Sequence, residues 1–117
     1  MDEIALGRVI WLDVTDPQGN PAGEHAAVIL TTKDEYEAGE AIKAVVISSK
    51  LHHAAKDRMV ELPWSRGRHV YTGLSKRSAA ICDWVVNVRK DHIREYAGRI
   101  YGKWLHEILA KVKSTQT

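Results

Sequence analysis

The chain is written as short apolar runs cut apart by strong punctuation, and that pattern leaves it few folds. RVIWLD, residues 8–13, is β-branched and aromatic and reads as a strand. DPQGNPAG follows, with two prolines and two glycines in eight residues, and reads as a loop. HAAVILTT, residues 25–32, is a continuous apolar run of strand length. KDEYEAGE is polar and acidic, a loop or a short helical turn. AIKAVVISS, residues 41–49, is a third strand whose apolar run suggests burial on both faces. Residues 59–62 form a short strand ahead of Pro63, and AAICDWVVNVR, residues 79–89, a fifth. Alternation along that strand sets Asp83 opposite both Cys82 and Trp84. The end of the chain has another period. After Gly102, Trp104, Leu105, Ile108, Leu109 and Val112 make one apolar stripe of a helix. Lys111 and Lys113 in its last turn suit the helix dipole. Five short strands and one terminal helix predict a mainly β fold, a small barrel with an appended C-terminal helix.

A length of 117 residues suits a single domain over 1–117, and 44% hydrophobic residues are enough for a core. A domain this small gains from a dimer interface. Cys82 is the one cysteine, so no disulfide forms within the chain, which fits a reducing compartment. Asp2 and Glu3 follow Met1 directly, and no apolar run reaches membrane-spanning length. These features predict a soluble, cytoplasmic protein with no membrane contact.

The net charge of +2 conceals an asymmetry. Residues 1–40 hold two cations and nine acids, and residues 41–117 hold fifteen cations and six acids. Such segregation points to a polyanionic partner for the second part, unless the two parts neutralise each other in space. The cationic character peaks in LPWSRGRHVYTGLSKR, residues 62–77, which contains no carboxylate. Trp64, Arg66, Arg68, His69, Lys76 and Arg77 there are candidate RNA contacts, since arginines neutralise phosphates and aromatics stack on unpaired bases. The alternative is a solvated loop whose Trp64 folds back onto the core.

GRVIWLDVTDPQG, HAAVILTT, VVISSK and TGLSKRSAAICDWVVNV, followed by the amphipathic helix, resemble the PemK/MazF family of toxin endoribonucleases. The resemblance runs from Gly7 to about Val112, and LPW, TGL and the Cys-x-Trp step are similar to a PemK-like branch. It implies an SH3-like barrel with a C-terminal helix, of the PemK/MazF/CcdB kind, usually homodimeric. It implies the toxin of a type II toxin–antitoxin pair. It also implies metal-independent cutting of single-stranded RNA, in which the 2′-hydroxyl attacks the neighbouring phosphate.

Such cleavage needs a base, an acid and donors for the phosphorane. The resemblance sets His25 where most members carry a catalytic arginine, and a histidine can serve there as acid or cation. It sets Ser48 at a threonine whose hydroxyl donates to a phosphate oxygen, and Asp83 at an acidic residue proposed as base in some members. Some relatives carry an arginine where this chain has Ile81, so a catalytic pair on that strand lacks its usual cation. Against these stand a plain strand start at His25, a capped turn at Ser48 and a buried, cation-paired Asp83. No metal and no cofactor is expected. The adjacent pair His52–His53 points apart on an extended chain, Cys82 reads as core, and His106 reads as exposed. The partners expected are single-stranded RNA and an antitoxin with an acidic, disordered tail. Two rival readings stay open: a gyrase poison like the CcdB relatives, and a non-catalytic SH3-like binding module. The polar tail KVKSTQT speaks against the first.

Overall fold

The computed structural model describes residues 3–51 and 56–115. Its strands are β1 (Arg8–Thr15), β2 (Pro21–Ile29), β3 (Ile42–Ser48), β4 (Met59–Leu62), β5 (Ser78–Val88) and β6 (Glu95–Arg99). Its helices are α1 (Lys33–Glu37) and α2 (Gly102–Thr115). The strands form one antiparallel sheet in the order β4-β5-β3-β2-β1-β6, so β4 and β6 are its ends and the sheet does not close. The mainly β architecture with a C-terminal helix is as the sequence predicts. No helix among the described residues is long and apolar enough to cross a membrane.

The acidic segment after β2 settles as a helix because Thr32 and Glu35 form a capping box. The Thr32 hydroxyl accepts from Glu35 N at 3.1 Å, and the Glu35 carboxylate accepts from Thr32 N at 2.8 Å. The β1–β2 loop is built on Asp16, whose carboxylate accepts from the amides of Gln18 and Asn20 at 3.0 and 2.9 Å.

Alternation along the strands feeds two apolar clusters. Val9, Val28, Val45 and Cys82 share one with Ile108 and Val112 of α2. Ile10, Leu12, Ile29 and Val46 share the other with Ile4 and Tyr36. The helix stripe is wider than the surface it covers. Ile108 and Val112 are buried and Leu105 half-buried, while Trp104 and Leu109 are exposed. At 3.6 residues per turn those two lie about 140° apart, at the edges of the stripe.

Two features depart from the sequence reading. The strand β6 has no apolar run to announce it; it pairs with β1 from Arg8↔Arg99 to Trp11↔Glu95, with a shift between Val9 and Ile10. In β5 the register against β3 passes from Val45↔Val85 to Ile47↔Ala80, so five steps of β5 face two of β3. This bulge breaks the expected alternation. Cys82 and Val85 face the helix-covered cluster, while Trp84 packs with the other. Trp84 therefore does not share a face with Cys82.

Candidate functional site

The bulge opens a cleft of about 740 Å³ against the end of β3 and the β1–β2 loop. His25, Ser48, Lys50, Arg58, Asp83 and Trp84 line it. The pairing of Ala26 with Ile47 brings His25 of β2 beside Ser48 of β3. His25 Nδ1 lies 3.1 Å from the Ile47 carbonyl oxygen. A carbonyl only accepts, so Nδ1 carries the hydrogen and Nε2 is the nitrogen left to exchange a proton. The ring also meets Trp84, with centroids 5.3 Å apart and planes at 64°. Trp84 is itself fixed, since its Nε1–H donates to Thr15 O at 2.8 Å.

Ser48 is buried, and its Oγ accepts from Lys50 N at 3.1 Å, which leaves the hydroxyl proton to donate. Asp83 is exposed rather than buried, and its carboxylate accepts from Arg58 Nη1 at 3.0 Å. An imidazole, a hydroxyl, a carboxylate and two cations thus face one cleft. That set can move a proton and hold an anion.

The chain matches, over residues 5–115, the model of the PemK-like, MazF-like toxins of type II toxin–antitoxin systems. It belongs to this toxin family. Solved structures agree on the fold. MazF from Deinococcus radiodurans superposes with a TM-score of 0.73 at 19% identity, over 96% of this chain and 94% of that one. An endoribonuclease from a mycobacterial species, in complex with its cognate antitoxin, gives 0.71 at 15% identity, over 96% and 93%. The toxin MazF-mt6 of Mycobacterium tuberculosis gives 0.70 at 10% identity, over 93% and 95%. No curated protein matches the chain.

The toxin's cationic loop divides between several surroundings. Lys76 borders a hollow of about 430 Å³ that also contains His25 and Lys50. Arg77 is paired with Glu61 at 2.8 Å. Arg68, in the left-handed region at φ 74°, donates to Gly73 O and pairs with Glu95. His69 Nδ1 accepts from the Tyr71 and Thr72 amides at 3.2 and 3.4 Å and so closes a turn. His69 and Tyr71 line a separate groove with Tyr101 and Trp104. Trp64 is 43% exposed rather than folded onto the core, and Arg66 is exposed. The structure therefore brings together His25, Ser48 and Asp83, sets Lys76 in an adjoining hollow that shares His25, and leaves Trp64, Arg66, Arg68, His69 and Arg77 outside that cleft.

Three cleft residues carried no signal in the sequence reading. Lys50 follows the third strand, and Arg58 precedes a short one. The pairing of Met59 with Ile81 carries Arg58 to Asp83, so it supplies the cation that Ile81 does not. Trp84 read as a strand residue until the bulge turned it. Between the halves of opposite charge, Arg94 bridges to Asp13 at 2.7 Å and to Glu24 at 3.4 Å. The pairs of Arg58, Arg68, Arg77 and Arg89 stay within the basic part.

Among the described residues no three histidine, cysteine or acidic side chains group to hold a metal, and His52–His53 lie outside those residues. His106 is exposed, as expected. Cys82 is core, and burial pushes its thiol up to about 11, with the Lys111 ammonium opposing and Asp83 adding. A disulfide reagent at pH 8 should therefore fail to titrate the folded toxin and react at once in denaturant. The unfolded thiol ionises near 9.0 and the folded one does not, so stability should fall as pH rises from about 9 towards 11. Fast reaction of the native protein would contradict this burial.

Proposed function

We propose that the toxin is an endoribonuclease that cuts single-stranded RNA without a metal ion, working from the cleft around His25. The observation that carries this reading is the fixed tautomer of His25, with Nδ1–H on the Ile47 carbonyl and Nε2 free. In the proposed reaction the 2′-oxygen attacks phosphorus and gives its proton to the Asp83 carboxylate. The bond to the 5′-oxygen breaks, and protonated His25 Nε2 supplies that oxygen with a proton. The products are a 2′,3′-cyclic phosphate and a 5′-hydroxyl. The Ser48 hydroxyl, Lys50 and Arg58 meet the charge that builds on the phosphorane.

Lys76 extends the cationic lining, and Trp64 and Arg66 offer an exposed ring and guanidinium further along the strand of RNA. Arg68, His69 and Arg77 contribute once their internal bonds open. The active form is a cytoplasmic homodimer, in keeping with the exposed Trp104 and Leu109 at the edges of the helix stripe. A cognate antitoxin covers the cleft with an acidic tail that imitates RNA; a mycobacterial endoribonuclease of the same fold forms a complex with its cognate antitoxin.

The test is to incubate the purified toxin with a long single-stranded RNA in EDTA and map the new 5′ ends. Discrete cuts with 5′-hydroxyl ends are expected. Cleavage that appears only when a divalent ion is added back would overturn the metal-free mechanism. No cleavage of any RNA would leave the gyrase poison or the inert module.

A further inference from the structure

The indole of Trp84 is a wall common to two hollows. One is the cleft with His25 and Ser48; the other is a hollow of about 600 Å³, lined by Asp16, Gly19, Val86 and Asn87. Asp83 and Pro17 border both. Trp84 is half-exposed although it is held by the 2.8 Å bond to Thr15 O, by the contact with His25 and by packing against the second apolar cluster. At that angle the histidine occupies at most one face of the indole. A rigid aromatic ring that stays partly exposed at the border of two hollows, beside cations that can hold a phosphate, is what an unpaired base stacks on. Asn87 adds an exposed amide at the rim of the second hollow, with a donor and an acceptor to offer a base edge. The Asp16 carboxylate there is already engaged by two backbone amides.

We propose that Trp84 stacks the nucleobase flanking the scissile phosphate, and that the second hollow it borders, with Asn87 at its rim, is the pocket that reads this base. The proposal rests on the endoribonuclease reading and adds to it a residue that sets substrate affinity and sequence preference. Trp84 takes no part in proton transfer. Its loss weakens binding and leaves the chemistry of the bound complex.

The experiment compares the wild type with Trp84→Phe, Trp84→Ala and Asn87→Ala. It uses a short RNA spanning a mapped cut for kinetics and a long RNA for cut-site distribution. Trp84→Ala should raise KM about tenfold or more with a smaller change in kcat, from the worth of a base stacked on an aromatic ring. Trp84→Phe keeps a ring but loses the bond to Thr15 O, and should recover most of the affinity. Asn87→Ala should broaden the preference at the nucleotide flanking the cut, with an unchanged melting temperature. A phenylalanine variant as impaired as the alanine variant would mean that the indole merely anchors the β1–β2 loop, and overturns the proposal. So does Trp84→Ala with a wild-type KM. Should Trp84→Ala fail to fold, an Asn87→Ala cut pattern identical to the wild type's is enough to overturn it. A wild-type toxin that cuts no RNA removes the endoribonuclease reading and this one together; a wild type that cuts, beside unaffected variants, removes this one alone.

Discussion

His25→Ala should lower the rate of RNA cleavage by about 10²- to 10⁴-fold, the usual worth of a positioned proton donor. Its cost to the fold should be about 1 kcal/mol, since one side-chain hydrogen bond to the Ile47 carbonyl is lost at the edge of a cleft. The two effects separate cleanly: a melting curve near the wild type's beside a rate near background. His25→Arg sharpens the assignment. Arginine stays charged throughout the accessible pH range and can meet the phosphate, but gives up a proton poorly. If His25 is the acid, the arginine variant should cleave about as poorly as the alanine variant while retaining part of the binding. Initial rates and affinity of both variants on one RNA provide the readout. An alanine variant that cuts at the wild-type rate and at the same places would remove His25 from the chemistry. The proton donor would then have to be sought elsewhere in the cleft.

The cleft's anchor residues were legible because each sits at the boundary of a regular element. His25 and Ser48 mark the ends of apolar runs, and antiparallel pairing of those runs brings them side by side. Trp84 and Arg58 were not legible, for a shared reason. Their positions depend on register rather than on pattern: Trp84 on the extra residues between Ala80 and Val85, Arg58 on a four-residue strand that pairs with β5. Alternation assumes an unbroken ladder, and a bulge reverses every face beyond it. The ion pairs of the cationic loop were hidden for a related reason. The loop's own sixteen residues contain no carboxylate, yet Glu61 and Glu95 reach it from β4 and β6 and take up Arg77 and Arg68. Local charge does not reveal acids that the fold delivers from elsewhere.

The sixth strand shows how far a fold can depend on one atom that is missing. EYAGR has weak strand character, and Gly98 in its interior should weaken it further. The structure uses that glycine for a close approach. A Cβ there would lie 2.3 Å from Tyr71 O and 2.5 Å from Thr72 C, both backbone atoms that cannot rotate aside. The approach is bonded as well, because Arg99 N donates to Tyr71 O at 2.8 Å. Gly98→Ala must therefore move either β6 away from β1 or the Tyr71–Thr72 turn away from β6. The expected loss is on the order of 3 kcal/mol, the upper range of overpacking costs. For a chain of this size that is roughly a 10 °C drop in melting temperature. Gly67→Ala is the matched control, since Gly67 has nothing within 4 Å of its added carbon and should change stability by less than about 0.5 kcal/mol. A Gly98→Ala melting point within a degree or two of the wild type's would mean that the turn yields freely, and that β6 is held by its ladder to β1 alone. The same variant probes how independent the cleft is. His25 and Ser48 lie on β2 and β3, separated from β6 by β1 in the sheet. Cleavage per folded molecule, measured well below the lowered melting point, should match the wild type. A rate that falls in step with stability even there would tie the Tyr71–Thr72 turn to the cleft, through the same loop that carries Lys76.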